Sequence, residues 1–309
     1  STATAVTGGG DHTCALLDNN SIQCWGRGSS GQLGNGSTSD SSTPVSVSNI
    51  STATAVTGGG DHTCALLDNK SIQCWGRGNE GQLGDGSSHS HSHTTPVVVS
   101  GISNATAISA GKYHTCALLD NSTIQCWGDG DLTIGGLASD ANPSRSTPAT
   151  ISGISTATAI DSARFGNCAR LSNGTINCWG VWKADCAGNS TCIDNYGSSA
   201  PVAISGISTA DNVTKGGNSC ALLSGGTVQC WGNGASGQLG NGSTSSSSTP
   251  VSVSNISTAD NVSKGGNSCA LLSGGTIKCW GSGSYGMLGN GSTSSSSTPV
   301  SVSNIITAT

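Results

Sequence analysis

Two apolar runs, residues 13–17 (TCALL) and 22–25 (IQCW), flank the polar triplet Asp18, Asn19 and Asn20. Asp and Asn tolerate the backbone of a tight turn, so the pattern predicts a β-hairpin. Residues two apart share a face of a strand, which places Cys14, Leu16, Ile22 and Cys24 on one side and Ala15, Leu17 and Trp25 on the other. Both faces are apolar, as expected for strands pressed between neighbouring sheets. Cys14 stands opposite Cys24, and a directly opposed, non-hydrogen-bonded pair is close enough for a disulfide. Upstream, residues 1–7 (STATAVT) are β-prone and run into three glycines, which predicts a separate strand. Downstream, residues 44–48 (PVSVS) alternate apolar and polar. They predict an outer, half-wet strand with Pro44 at its start, where no ladder bond is lost.

The hairpin returns at residues 12–26, 62–76, 114–128, 166–180, 218–232 and 267–281. Its cysteines predict the pairs Cys14/Cys24, Cys64/Cys74, Cys116/Cys126, Cys168/Cys178, Cys220/Cys230 and Cys269/Cys279, each ten positions apart. Recurrence about every fifty residues, with several short strands per repeat, marks a propeller or similar array. Six such repeats account for residues 1–309 as a single all-β domain.

Around the hairpin recur Cys-Ala-Leu-Leu, Cys-Trp-Gly, Gly-Gln-Leu-Gly-Asn-Gly at residues 31–36 and Thr43-Pro44-Val45. Gly-Gln-Leu-Gly is intact at residues 31–34, 81–84 and 237–240, becomes Gly-Met-Leu-Gly at 286–289, and is lost from the third and fourth repeats. These elements resemble the RCC1-type repeat in the cysteine-containing form familiar from secreted bacterial proteins. The resemblance spans the whole chain and implies a six-bladed β-propeller. It implies little about activity, because the family includes a chromatin-bound guanine-nucleotide exchange factor, secreted enzyme inhibitors and surface proteins.

Composition narrows the setting. Only 4% of residues are aromatic and 9% charged, so the core relies on aliphatic side chains and one Trp per hairpin. Disulfides suit so thin a core. Fourteen cysteines, the six pairs plus Cys186 and Cys192, point to an oxidising compartment and a secreted, extracellular or cell-surface protein. Zinc is the poorer reading of these cysteines: His12, His62 and His114 stand two positions before the first cysteine, but Gly166, Asn218 and Asn267 replace them later. A net charge of −5 with scattered Lys and Arg disfavours nucleic acid as a partner. No apolar run is long enough to span a membrane. The chain opens within a repeat without an initiator Met, as a processed or excised segment would.

Repeats this alike leave little room for a unique site, so candidate chemistry lies where they differ. In the second repeat His89, His91 and His93 alternate in a loop, where three imidazoles on one side suit a transition metal and a bland polar loop is the alternative. In the third, Asp129, Asp131 and Asp140 invite Ca²⁺ but lack a full ligand set. In the fourth, residues 181–199 bring Trp182, Lys183, Asp185 and Tyr196 around a private Cys186/Cys192 pair, the makings of a rigid recognition tip or of an inert insertion. Asp11 and Asp61 recur with the repeat and are expected to satisfy turn hydrogen bonds. No catalytic constellation and no cofactor motif is legible, and the reading is a non-enzyme.

Asn-x-Ser/Thr acceptors are abundant: Asn19, Asn35, Asn49, Asn69, Asn104, Asn121, Asn173, Asn189, Asn212, Asn241, Asn255, Asn261 and Asn290. Many fall in turns and loops, where a glycan leaves the core undisturbed and where Asn is also simply a good turn residue. The composite expectation is an extracellular structural building block, glycosylated and self-associating into a surface or fibrous assembly. The alternative is a secreted protein- or glycan-binding module, an adhesin or inhibitor, using the 181–199 loop. The C-terminal outer strand is expected to join the first repeat's strands, so that one blade contains both termini. Residues 306–309 then compete in register with residues 1–4, and the displaced end frays, joins a further repeat of a longer precursor or, the favoured expectation, adds to a neighbouring molecule.

Overall fold

The computed structural model describes the chain except for residues 88–90, 130–143, 165, 182–196, 217, 265–266 and 306–309. The first repeat forms β1 (Ala3–Gly8), β2 (His12–Leu17), β3 (Ile22–Gly26) and β4 (Ser41–Ser46), an antiparallel sheet in chain order. Five more four-stranded sheets of the same order follow, within residues 53–98, 105–150, 157–203, 210–252 and 259–301. Each is called by its position in the chain. The chain packs as two compact units, one holding Ser1–Asn167 with Trp179–Val181 and Ser198–Pro201, the other holding Cys168–Cys178 and Val202–Thr309.

The hairpin register is the expected one. Cys14 pairs with Cys24 and Leu16 with Ile22, and Asn20 takes the left-handed turn position at φ 61°. Disulfides join Cys14 to Cys24, Cys64 to Cys74, Cys116 to Cys126, Cys168 to Cys178, Cys220 to Cys230 and Cys269 to Cys279, each with Cα atoms 4.1 Å apart. So short a separation belongs to narrow, non-hydrogen-bonded pairs. On the far side of the hairpin Cys126 pairs in register with Ala149 and Cys279 with Val300 of the outer strand, and both ladders then shift before Gly128 and Gly281. Cys186 and Cys192 lie outside the described residues.

Two expectations change. The outer strand is Ser41–Ser46 rather than 44–48, so Pro44 sits inside it. As an edge strand it loses no ladder bond there, and it leaves the register between Cys24 and Gly26 through a bulge. The termini do not share a sheet: Ala3–Gly8 pairs with β2 in the first sheet, while Ser296–Ser301 pairs with Ile277–Gly281 in the sixth. Consecutive strands joined by tight turns pair locally, so each terminus becomes an edge strand of its own sheet. Residues 306–309, expected to compete with 1–4, lie outside the described residues.

Packing between sheets explains the two apolar faces. Cys14, Leu16, Ile22 and Cys24 bury against Ala65, Leu67 and Trp75 of the second sheet. The second sheet's Cys64, Leu66, Ile72 and Cys74 meet Ala117, Leu119 and Trp127 of the third in the same way. In the second unit Cys168, Ile176 and Cys178 pack on Ala221 and Trp231, and Cys220, Val228 and Cys230 pack on Ala270 and Trp280. In each of these joints the cysteine face of one sheet receives the Ala/Trp face of the next.

Candidate functional site

The Gly-Gln-Leu-Gly loop is a docking device between sheets. The main-chain carbonyl of Gln32 accepts from Thr63 Oγ1 (2.9 Å) and from Trp75 Nε1 (2.9 Å), both in the following sheet. Gln82 repeats the arrangement with Thr115 (3.1 Å) and Trp127 (2.9 Å), and Gln238 with Ser268 (3.2 Å) and Trp280 (3.0 Å). Gly34, at φ 69°, lies against Trp75, and a Cβ there would stand 2.7 Å from the indole nitrogen. The motif therefore specifies a left-handed residue without a side chain under the next sheet's tryptophan.

Three buried histidines run along the same seam. Thr63 already donates its hydroxyl proton to Gln32, so His12 Nε2–H donates to Thr63 Oγ1 at 2.8 Å. His62 meets Thr115 Oγ1 at 2.9 Å, and His114 meets Asn167 Oδ1 at 2.9 Å. Burial lowers all three from the ordinary 6.5, His12 to about 4, His62 to about 3 and His114 to about 4. The charged neighbour Asp61 only partly offsets burial at His12, while His114 and His12 reinforce it at His62. These imidazoles stand neutral, each bridging to the next sheet through Nε2.

Within the first unit the turns joining first to second strands of four sheets converge on an open cavity of about 550 Å³. Its glycines serve close approach: Gly10 N donates to Gly59 and Gly60 carbonyls at 3.0 Å, and a Cβ on Gly10 would stand 2.6 Å from Gly60 O. The rim carries mixed charge. Arg27 Nη1 lies 3.5 Å from Asp11 Oδ2 and 3.9 Å from Asp61 Oδ1. Lys112 Nζ sits 4.6 Å from the centre of the Tyr113 ring and the Arg77 guanidinium 5.6 Å from it. The Asp11 and Asp61 carboxylates, expected to satisfy turn hydrogen bonds, face Arg27 across the cup. The sequence pattern assigns no role to Arg27, Lys112 or Tyr113, although one departure was readable: Lys112 and Arg164 stand where the first two repeats have Gly10 and Gly60. A cup lined this way has the charge and backbone polar groups to hold a polar ligand.

The remaining candidates separate. The paired cysteines belong to the hairpins and not to the cup: Cys126 is wholly buried and Cys279 nearly so, and each is tied up in its disulfide, so neither offers a thiolate to a metal or a substrate. His93 Nε2 lies 3.3 Å from Asp85 Oδ2, His91 is exposed, and His89 lies outside the described residues. Among the described residues no three His, Cys, Asp or Glu side chains gather as a metal site. Asp129 is buried; Asp131, Asp140, Trp182, Lys183, Asp185, Asn189 and Tyr196 lie outside the described residues. No helix among the described residues is long and apolar enough to cross a membrane.

The acceptor asparagines fall into three kinds. Asn19, Asn69, Asn121 and Asn173 sit in exposed hairpin turns, where Oδ1 accepts from both the backbone N–H and the hydroxyl two residues on, at 3.0–3.2 Å and 2.7 Å. Asn35, Asn241 and Asn290 make the backbone half of that contact at 3.1 Å. Others are committed elsewhere: Asn104 Nδ2 donates to Asp120, Asn49 and Asn255 occupy left-handed turn positions, and Asn212 and Asn261 lie in strands.

Two sequence profiles of the Regulator of chromosome condensation (RCC1) repeat match the chain, one at residues 21–66, 72–118 and 225–272, the other at 3–32, 53–82 and 105–132. The chain belongs to the RCC1-repeat family. Its six sheets are the blades of an all-β, six-bladed propeller, in the cysteine-containing form of the repeat. Human WBSCR16 superposes with a TM-score of 0.83 at 19% identity, over 98% of this chain and 82% of that one. Prp20p from Saccharomyces cerevisiae, a protein with binding properties towards Gsp1p and histones, gives 0.82 at 20%, over 97% and 76%. The ectodomain of the Physcomitrella patens receptor kinase CR4 gives 0.55 at 20%, over 90% and 64%. At these identities the likeness is one of fold. No curated protein matches the chain in sequence. The six disulfides indicate an oxidising environment.

Proposed function

We propose that this propeller is an extracellular, non-enzymatic structural building block of a surface or fibrous assembly, glycosylated at its exposed turns. The observation that carries the reading is the joint between sheets, repeated with nearly the same residues and stapled by a disulfide in every hairpin. Selection on such a chain falls on the joint itself, whereas a recognition protein concentrates its distinctive residues in one place. Disulfide staples and a surface low in charge suit a passive component outside the cell. The turn asparagines Asn19, Asn69, Asn121 and Asn173 use Oδ1 rather than Nδ2 in their turn contacts, so the nitrogen that carries a glycan is not consumed by the fold.

A second reading, a secreted protein- or glycan-binding module, draws support from the Arg27–Asp11–Asp61 cup rather than from the 181–199 loop. Intact mass of protein recovered from outside the cells, before and after enzymatic deglycosylation, tests the modification. The structural reading expects a mass above that of the bare polypeptide that falls on treatment. A bare-polypeptide mass removes the glycan coat from the account, and recovery of the chain only from the reducing cell interior overturns it.

A further inference from the structure

The cup of the first unit divides its charge between its turns. The place of Gly10 and Gly60 is taken by Lys112 and then by Arg164, so the adjoining turns of the third and fourth sheets each bring a cation. The turns of the first and second sheets instead bring Asp11 and Asp61, which share the single guanidinium of Arg27 at 3.5 and 3.9 Å. Three cations against two carboxylates leave the lining one positive charge, in a chain whose net charge is −5. Lys112 is held but not neutralised. Its Nζ rests 4.6 Å from the centre of the Tyr113 ring, and among the described residues no carboxylate lies within ion-pair distance of it. The glycine floor has few donors left to offer: the N–H groups of Gly9, Gly59 and Gly111 go to the carbonyls of His12, His62 and His114 at 2.8–2.9 Å, and those of Gly10 and Gly60 to the neighbouring turns.

We propose that this cup binds an acidic sugar, a hydroxyl-rich ligand carrying one carboxylate on each ring. The inference rests on the binding-module reading above and names its ligand class. Lys112 donates to the carboxylate in a charge-assisted hydrogen bond, and Arg164 adds its charge beside it. The sugar hydroxyls donate to Asp11 and Asp61, because a carboxylate is an acceptor that a hydroxyl satisfies without a further charge. A phosphate or sulfate group fits less well. Two carboxylates in the same lining repel a dianion, and the glycine N–H groups that could cradle its oxygens are already spent. The Arg77 guanidinium, paired with Glu80, also lies 5.6 Å from the Tyr113 ring, so the ring against which Lys112 rests is braced before a ligand arrives. About 550 Å³ is within the range of small-ligand sites.

The test titrates the intact protein, by calorimetry, with short galacturonate oligomers, with the same oligomers methyl-esterified at the carboxyl, and with inorganic sulfate. The wild type should bind the acid oligomers saturably, more weakly as salt rises, and the ester and sulfate at least about tenfold more weakly. That comparison needs no variant. Lys112→Gly, the residue of the first two repeats at this place, and Asp61→Asn should each weaken binding about tenfold, and Lys112→Arg should retain most of it, each variant first shown to melt as the wild type does. Lys70→Gln, in an exposed hairpin turn outside the cup, removes the same charge and should leave binding unchanged. Equal binding of the ester or of sulfate, or no saturable binding of the acid oligomers, overturns the proposal. Acid-sugar binding that survives both Lys112→Gly and Asp61→Asn also overturns it, yet leaves the binding-module reading standing, so the two failures are distinguishable.

Discussion

The indole of Trp75 donates its N–H to the carbonyl of Gln32 at 2.9 Å, across the boundary between two sheets. This contact converts a loop motif into a joint, and its loss should be measurable. Trp75→Phe keeps the packing but removes the donor, and should cost about 1–2 kcal/mol in urea unfolding. Trp25→Phe, half-buried and with no such acceptor among the described residues, should cost less. Equal losses at the two positions would remove the carbonyl from the explanation.

The glycine beneath the indole makes a second test. Gly34 and Gly36 both have positive φ, 69° and 85°, but a Cβ on Gly34 meets Trp75 at 2.7 Å while one on Gly36 has no neighbour closer than 4.0 Å. Backbone strain alone costs about 1–2 kcal/mol for alanine in this region, so Gly36→Ala should lose about that much. Gly34→Ala should lose roughly 3 kcal/mol or more, because overpacking adds to the strain. Similar values would mean that the tryptophan yields freely.

The same left-handed position in the hairpin turn is held by Gly174, Gly226 and Gly275 but by Ser122 in the third repeat, at φ 64°. Ser122→Gly relieves that strain and should stabilise by about 1 kcal/mol, leaving the Asn121 acceptor motif intact. A destabilised variant would show that the serine side chain contributes more than its backbone costs.

Protonation gives a fourth. Native His12, His62 and His114 bind protons only near pH 4, 3 and 4, whereas the unfolded chain binds them below the ordinary 6.5. Protons therefore favour the unfolded state as pH falls through that window: stability is complete above about pH 6.5 and declines toward pH 4, by on the order of 3 kcal/mol per imidazole at the limit. Replacing all three by Asn, the residue at positions 218 and 267, should flatten the urea midpoint between pH 7 and pH 4.5. An unchanged slope would place the acid sensitivity on the carboxylates.

Much of this was legible in the sequence, for physical reasons. Strand alternation and the ten-residue cysteine spacing fix the register Cys14/Cys24, because a one-residue slip would turn every apolar side chain over. The two-faced hairpin announces packing between sheets. What Gln32 does was not legible, since its carbonyl carries no side-chain signature and its partners Thr63 and Trp75 lie thirty-one and forty-three residues away. The Arg27 bridge to Asp11 and Asp61 was hidden for the same reason: its geometry depends on which turns meet. The terminal strands were misassigned because register equivalence shows which segment fits a place and not which one arrives by the shorter path.

Thiol chemistry tests the compartment. With six disulfides formed, from Cys14–Cys24 through Cys116–Cys126 to Cys269–Cys279, and Cys186 expected to pair with Cys192, labelling of the denatured, unreduced protein should find no free thiol. Cys14→Ser should expose one thiol and cost roughly 3 kcal/mol, the loop-closure value for a ring of this size. Several free thiols in native material would contradict the oxidising setting.

Electron imaging of the native extracellular material, with the chain located by specific labelling, tests the structural reading most directly. Regular polymers or coats densely labelled for this protein are the predicted result. A labelled population consisting solely of dispersed monomers would contradict it.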